Sequence, residues 1–377
     1  MEVVLSLMVI VLSCLIIWKA SNGFEMASEY LGRNLSQGVR GATINAIGSS
    51  IPELFTTIFF LLILHDQEGF SGGIGTTAGS AIFNAMVIPA IVILTVIAVG
   101  KVKFVQVSKK VVLRDGIMLL ISEVALIYLL ASGVLYWWHG LILMLMYGVY
   151  VVVMFSTMKK NISEEENNEE EEETSNTEYG FWGNCIRLNL EQLIIGNRPI
   201  TNSKAWLLLL VSTLVVGMAS AFLVLACEHF GNVLDIPIYF VAVILAAAAT
   251  SVPDTILSIK DAQKGNYDDA VSNALGSNIF DICFALGFPL FMYALIFNPI
   301  EINGMVLENT NELRILLLIL TVVVFFIFLF SKKMKAIQSI MLLLVYIFFV
   351  IFILGKSTSM AWVEEVSSLL KGLSQYF

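Results

Sequence analysis

Two stretches, Gly48-Ser-Ser-Ile-Pro-Glu53 and Ala249-Thr-Ser-Val-Pro-Asp254, decide how this chain folds. Each lies inside an apolar segment and puts an acid directly after a proline. Pro52 lacks an amide proton and its ring crowds the preceding turn, so the carbonyl of Gly48 loses its helical partner; Pro253 does the same to Ala249. Two carbonyls are thereby freed next to Glu53 and Asp254. If these segments cross a membrane, backbone groups left open at that depth persist only against protein, water or an ion. A carboxylate there costs about 2.5 to 3.5 kcal/mol or more unless it is compensated.

The rest of the chain says that they do cross a membrane. Of 377 residues 58% are hydrophobic and only 14% are charged, and the mean hydropathy is +0.86, far from that of a soluble domain. Apolar stretches recur at 3–19, 42–64, 74–99, 113–131, 137–157, 205–227, 237–259, 271–297, 313–331 and 336–354. Most approach the roughly 20 residues that a helix needs to span a bilayer. The expectation is an all-α integral membrane protein with about ten spans. No alternation of barrel-strand type is visible. The first stretch reads as a helix of the mature protein, because no basic residue precedes it and no small-residue cleavage site follows.

Lysine and arginine fall mainly in alternate connections: Arg33 and Arg40, Lys101 to Lys110, Lys159 and Lys160, Lys260 and Lys264, and Lys332 to Lys335. The other set holds little beyond Arg314, Lys356 and Lys371. By the positive-inside rule the first set is cytoplasmic and both termini lie outside. The acidic run Glu164–Glu173 reads as a solvated cytoplasmic linker, with weak Ca2+ sensing as a second reading. Cys14, Cys185, Cys227 and Cys283 lack metal-type spacing and read as small packing residues.

The linker separates two halves that match at three places in the same order. Ala27-Ser-Glu-Tyr-Leu-Gly32 corresponds to Ala226-Cys-Glu-His-Phe-Gly231. The two proline stretches correspond to each other. Gly79-Ser-Ala-Ile-Phe-Asn84 corresponds to Gly276-Ser-Asn-Ile-Phe-Asp281. Five spans per half is an odd number, so the second half enters from the opposite side. Inverted repeats with interrupted helices point to a transporter whose site lies at the midplane where the repeats meet. The expected division is a first repeat at 1–157, a linker at 158–203, a second repeat at 204–355 and an external tail at 356–377.

The candidate ion ligands are Glu53, Asp254, Asp281 and Asn84, with the hydroxyls of Ser49, Ser50, Ser80, Thr250, Ser251 and Ser277. Ser80 precedes Asn84 by four residues and Ser277 precedes Asp281 by four, which puts each pair on one helix face. All are oxygen donors, the chemistry of hard cations such as Ca2+. The blander reading, prolines that only bend packed helices and small residues that let them approach, leaves the matched carboxylates unexplained.

These residues resemble the two signature regions of the calcium/cation antiporter superfamily, of the form G-S/T-S-x-P-E/D followed by G-S-x-x-x-N/D. Within it the chain is most similar to the potassium-dependent sodium/calcium exchangers: compare Gly41-Ala-Thr, Pro52-Glu-Leu-Phe55, Gly75-Thr-Thr-Ala-Gly-Ser-Ala-Ile-Phe-Asn84, Ser251-Val-Pro-Asp-Thr255 and Ser272-Asn-Ala-Leu-Gly-Ser-Asn-Ile-Phe-Asp-Ile282. Leu113-Arg-Asp115 and Trp137-Trp138 add to the likeness. The resemblance implies an antiporter, not an enzyme, that exchanges Na+ for Ca2+ by alternating access and takes no cofactor. Glu53 and Asp254 would be the central Ca2+ ligands, shared with Na+, with Asn84 and Asp281 beside them and Asp281 linked to K+. It also implies sliding of the first and sixth spans over a fixed core. The expected partners are membrane lipid and inorganic cations, with no nucleic acid, in the cell membrane.

Other readings remain: a potassium-independent exchanger, an H+/Ca2+ exchanger, or a passive cation channel whose acids and carbonyls form a filter. The G-N-x-x-E form usual in proton-coupled relatives is absent. An intramembrane hydrolase with Asp254 and Asp281 as a dyad lacks every accompanying motif. Glu123 lies inside the fourth span without a counterpart in the ninth, either as an ion or proton contact or as a structural pair. His65, His139 and His229 are expected as exposed side chains at external ends, and the residues after Ser359 as a short interfacial helix.

Overall fold

A computed structural model describes residues 1–33, 46–158, 181–331, 333–358 and 360–374. The acidic run, Arg40, Gly41-Ala-Thr, Lys159, Lys160 and Lys332 lie outside the described residues. Helices account for nearly all of the described chain. In the first half they are α1 (Glu2–Leu31), α2 (46–64), α3 (Asp66–Ala98), α4 (Lys109–Leu130) and α5 (Trp137–Met158). In the second they are α6 (Asn202–Leu234), α7 (Ile238–Gln263), α8 (Tyr267–Ile296), α9 (Gly304–Phe330) and α10 (Ala336–Ser357). A final helix, α11 (Ala361–Ser374), follows. Two short helical segments, Phe181–Ile186 and Leu190–Ile194, precede α6.

Eight of the described helices are long and apolar enough to cross a membrane unaided. The two exceptions among the expected ten have physical causes. In α2 the helix breaks at Ser50, leaving 14 residues in its longer piece, Ile51–Leu64. In α4 the 22-residue helix carries Lys109, Lys110, Arg114, Asp115 and Glu123. Several helices also run well past the apolar core of their segments, α1 to Leu31 and α9 from Gly304; there Glu25 of α1 pairs with Lys260 of α7, and Glu312 of α9 with Lys356 of α10.

Contacts between connections sort into two opposite faces, as ten crossings require. On one face Val105 and Met334 exchange backbone bonds at 2.8 Å, Ser108 N donates to Asp268 at 2.7 Å, and Arg33 reaches Asn202. On the other, strand β1 (Val134–Leu135) pairs antiparallel with β2 (Ile300–Glu301), Ser6 meets His229 at 2.8 Å, and Tyr293 bonds Asp66. Helices α1 and α6 form an antiparallel pair packed through small residues. A Cβ at Gly23 would stand 2.6 Å from Ser212 Oγ. Helices α3 and α8 run through the centre of the bundle, and most of their inner residues are buried.

Two expectations about single residues, those for Arg314 and His139, are corrected. Arg314 is not in an external connection; it is 2% exposed inside α9 and donates to the Ile127 carbonyl of α4. Lys356 is part-buried and pairs with Glu312 of α9, which also accepts from Ser367 of α11 at 2.9 Å. His139 is buried at 2% exposure, stacked on Trp138, because the turn before α5 folds its ring back onto the Tyr136 backbone. Within the tail Ala361–Ser374 forms a helix, with Val363, Ser367 and Leu370 buried.

Candidate functional site

The proline stretches build the centre. Ser50 (φ −98°, ψ 8°) and Ser251 (φ −79°, ψ 1°) leave helical geometry at matching positions, and Pro52 and Pro253 each start a new half-helix. Proline suits this place because a first-turn N–H has no helical partner to lose. Glu53 and Asp254 occupy the first turn of these half-helices, where the positive end of the helix dipole favours a carboxylate. The preceding short pieces, Ala46–Ser49 and Ala247–Thr250, end with their carbonyls at the break, the arrangement that presents oxygen to a cation.

Each repeat holds its own acid through a matching bond. In the first, Ser80 Oγ donates to Glu53 Oε1 at 3.1 Å; in the second, Ser277 Oγ donates to Asp254 Oδ1 at 2.8 Å. Ser80 also lies 2.9 Å from Ser251 Oγ and 3.3 Å from Thr250 Oγ1, and 3.2 Å from the Ala247 carbonyl. Its single hydroxyl thus ties the first repeat to the break in the second. Asn84 closes the other side, with Nδ2 donating to Asp254 Oδ2 at 3.1 Å and, at 3.5 Å, to Asp281 Oδ2. Ser49 and Ser50 lie against Asp254. Ser49 and Thr250 hold equivalent positions and point back to equivalent carbonyls, Ala46 at 3.4 Å and Ala247 at 3.2 Å.

All ten candidate ligands are buried, Ser49 being the most exposed at 5%. Glu53 Oε2, Asn84 Oδ1 and Asp281 Oδ1 accept no hydrogen bond. Buried oxygens without partners, beside three carboxylates, are a donor set in need of positive charge. Among the described residues no three acid, imidazole or thiol groups cluster tightly enough to hold a metal ion alone. The set is mixed, and neutral hydroxyl and amide oxygens complete it.

Close backbone approach makes the centre compact. A Cβ on Gly79 would fall 2.3 Å from the Val243 carbonyl oxygen of α7, so the glycine before Ser80 is what lets α3 reach α7. That crossing lies on a π-helical turn, Ala242–Ala246, and a second π turn, Asp281–Ala285, begins at Asp281 itself. Such turns concentrate at functional sites. At the equivalent position Asn84 the helix continues as α.

Sequence reading missed three groups. Ser258 and Asn273 pair one turn from the Asp254 site; their spacing of four from Asp254 and Ser277 was the available signal. Asn278 Nδ2 bonds the Ala81 carbonyl at 2.9 Å, tying α8 to α3. Asp115 accepts from Arg114, from Ser272 at 2.7 Å and from Tyr150 at 3.4 Å. Glu123 makes no contact with the candidate ligands: it is 1% exposed, and its Oε1 accepts from Thr321 of α9 at 2.6 Å.

Broken helices at equivalent depth in two oppositely inserted repeats, with carboxylates converging on one buried centre, define an inverted-repeat membrane transporter. The sodium/calcium exchanger protein family model matches this chain twice, over residues 5–156 and 204–355; the chain belongs to that family. Curated relatives include human sodium/potassium/calcium exchanger 5, 33% identical over 132 residues, and rat sodium/potassium/calcium exchanger 3, 42% identical over 78 residues. The matched segments cover 33% and 21% of this chain and 26% and 12% of those proteins. Among solved structures, an H+/Ca2+ exchanger, CAX, superposes with a TM-score of 0.62 at 14% identity, covering 98% of this chain and 92% of its own. The sodium-calcium exchanger NCX_Mj gives 0.57 at 22% identity, covering 92% and 98%. These two likenesses establish the fold, and the family is one of exchangers rather than enzymes.

Proposed function

We propose that this chain exchanges Na+ for Ca2+ by alternating access, with K+ moving together with Ca2+. The observation that carries the reading is the convergence of two matched units, Glu53–Ser80 and Asp254–Ser277, which the Ser80–Ser251 and Asn84–Asp254 contacts join at one buried centre. Their protein donors are hydroxyls and an amide; the charge they require comes from the transported ions. Glu53 and Asp254 act as the central Ca2+ ligands, alternately serving Na+, and Asn84, Asp281 and the six hydroxyls complete the shell. Na+ and Ca2+ exclude one another because both need the same two carboxylates.

The potassium assignment rests on charge. Glu53, Asp254 and Asp281 bring three negative charges, while the fourth symmetric position is the neutral Asn84. One Ca2+ and one K+ neutralise them; Ca2+ alone leaves one charge over. The relatives quoted above are named for all three ions, which agrees with this count. In the working cycle α1 and α6 slide as a pair over the remaining helices. The repeats occupy 1–157 and 204–355, the linker at 158–203 is cytoplasmic, and both termini face outward from the cell membrane. An H+/Ca2+ exchanger is the second reading, favoured by the fold shared with CAX.

Ca2+ uptake into Na+-loaded vesicles, with external K+ present or absent, tests the whole reading. Uptake driven by the Na+ gradient is expected, and it should vanish in Glu53→Gln and in Asp254→Asn although both variants insert and fold. Wild-type rates in either folded variant refute the ligand assignment. Uptake driven by a pH gradient with no need of Na+ moves the chain to the second reading.

A further inference from the structure

Helices α7 and α8 are antiparallel neighbours joined at the face that carries residues 101–108. Ser258 lies four residues beyond Asp254 on α7, and Asn273 four residues before Ser277 on α8. The two spacings meet, and Asn273 Nδ2 donates to Ser258 Oγ at 3.1 Å. The pair lies one helical turn, roughly 6 Å, from the Asp254–Ser277 bond toward that face. Ser258 is fully buried, Asn273 is 3% exposed, and the amide oxygen of Asn273 has no hydrogen-bond partner.

The first repeat holds threonines at the corresponding positions, Thr57 and Thr76. Both hydroxyls turn back onto their own helices, donating to the Glu53 carbonyl at 2.9 Å and the Gly72 carbonyl at 3.0 Å. The symmetry of the central ligands is therefore broken one turn away, where only the second repeat offers a free amide oxygen. The rotation of α8 at this level is fixed by Ser272, bonded to Asp115 and, at 3.1 Å, to Arg114 Nη2. Beyond the pair, Ala262, Ala270 and Ala274 pack with Ile88, Val92 and Val96.

We propose that Asn273 and Ser258 form an accessory site for a monovalent cation on the cytoplasmic approach to the centre, occupied on the way to or from Asp254. The proposal rests on the exchange reading above. The donors are neutral, as are the carbonyls that replace the hydration shell of K+ in selectivity filters. A divalent ion takes carboxylates among its six to eight oxygens, and the pair has none, so it suits a single charge. An ion held there stays within one turn of the Asp254 charge, so it is attracted onward.

The test is Na+-dependent Ca2+ flux in oriented vesicles, right-side-out and inside-out, with Na+ titrated on each face. In Asn273→Leu the half-saturating Na+ concentration should rise about fivefold on the cytoplasmic face, equivalent to about 1 kcal/mol. It should stay unchanged on the external face, as should half-saturation by Ca2+. Asn273→Asp, which keeps the oxygen, should restore the cytoplasmic value, and Ser258→Ala, the smaller truncation, should shift it in the same direction. A polar clamp with no ion role would lower turnover equally from both faces. That outcome, a shift confined to the external face, or no shift in any variant overturns the site while wild-type flux is normal. Absence of Na+-driven flux in the wild type overturns the exchange reading, and this site with it.

Discussion

Replacing Gly79 by alanine probes whether the repeats must approach as closely as they do. The added methyl would lie 2.3 Å from the Val243 carbonyl oxygen, 2.8 Å from Ala247 Cβ and 2.9 Å from the Val243 carbonyl carbon. Unstrained carbon contacts need about 3.5 Å, so α3 and α7 must separate by about 1 Å. The obstruction is backbone, which cannot rotate away as a side chain can. The cost should reach the upper end of the overpacking range, about 3 kcal/mol. Function should suffer more than stability, because Ser80 is the next residue and its hydroxyl holds Glu53, Thr250 and Ser251 within 3.3 Å. A displacement of about 1 Å at such a site is worth up to about a hundredfold in rate. The control is Gly148→Ala on α5, where nothing lies within 4 Å of the added carbon. The assay is thermal denaturation in detergent beside Na+-driven Ca2+ uptake per folded molecule. Gly79→Ala with the stability and uptake of the wild type, under conditions where Gly148→Ala is also silent, refutes the close crossing of α3 and α7.

Asp281→Asn should make Ca2+ uptake indifferent to K+ while Na+ still drives it; wild-type uptake that already ignores K+ refutes the charge count and leaves a plain Na+/Ca2+ exchanger. Glu312→Gln should loosen α11, because it takes the charge from the acid that holds Lys356 and Ser367. Breaking a buried pair of this kind costs roughly 3 kcal/mol, and limited proteolysis of the tail reads it: cleavage between α10 and α11 should accelerate in the variant, and an unchanged rate refutes the docking.

Much of the centre was legible because its signals are local. A proline followed by an acid inside an apolar segment implies a broken helix with a carboxylate at the break, and that is where Ser50 and Ser251 leave helical geometry. Counting five spans per half made the repeats inverted without any coordinates. Arg314 and His139 were misplaced for one reason: hydropathy assigns polar residues near segment ends to water, and the partners that bury these two, the Ile127 carbonyl and the local fold around Tyr136, are invisible to it.

From the order of residues alone came the membrane setting, the two repeats, the broken helices and the oxygen chemistry of the candidate ligands, since each follows from periodicity, proline geometry or composition along one segment. Three-dimensional packing alone decided which candidate ligand meets which. Ser80 bridges to Ser251, 171 residues away, and Asn84 to Asp254, 170 residues away. Packing also turned Thr57 and Thr76 back on their own backbones while leaving the Asn273 oxygen free. Contacts between helices distant in sequence depend on the crossing distance and rotation of each helix, and these are fixed by all of its neighbours at once rather than by its own residues.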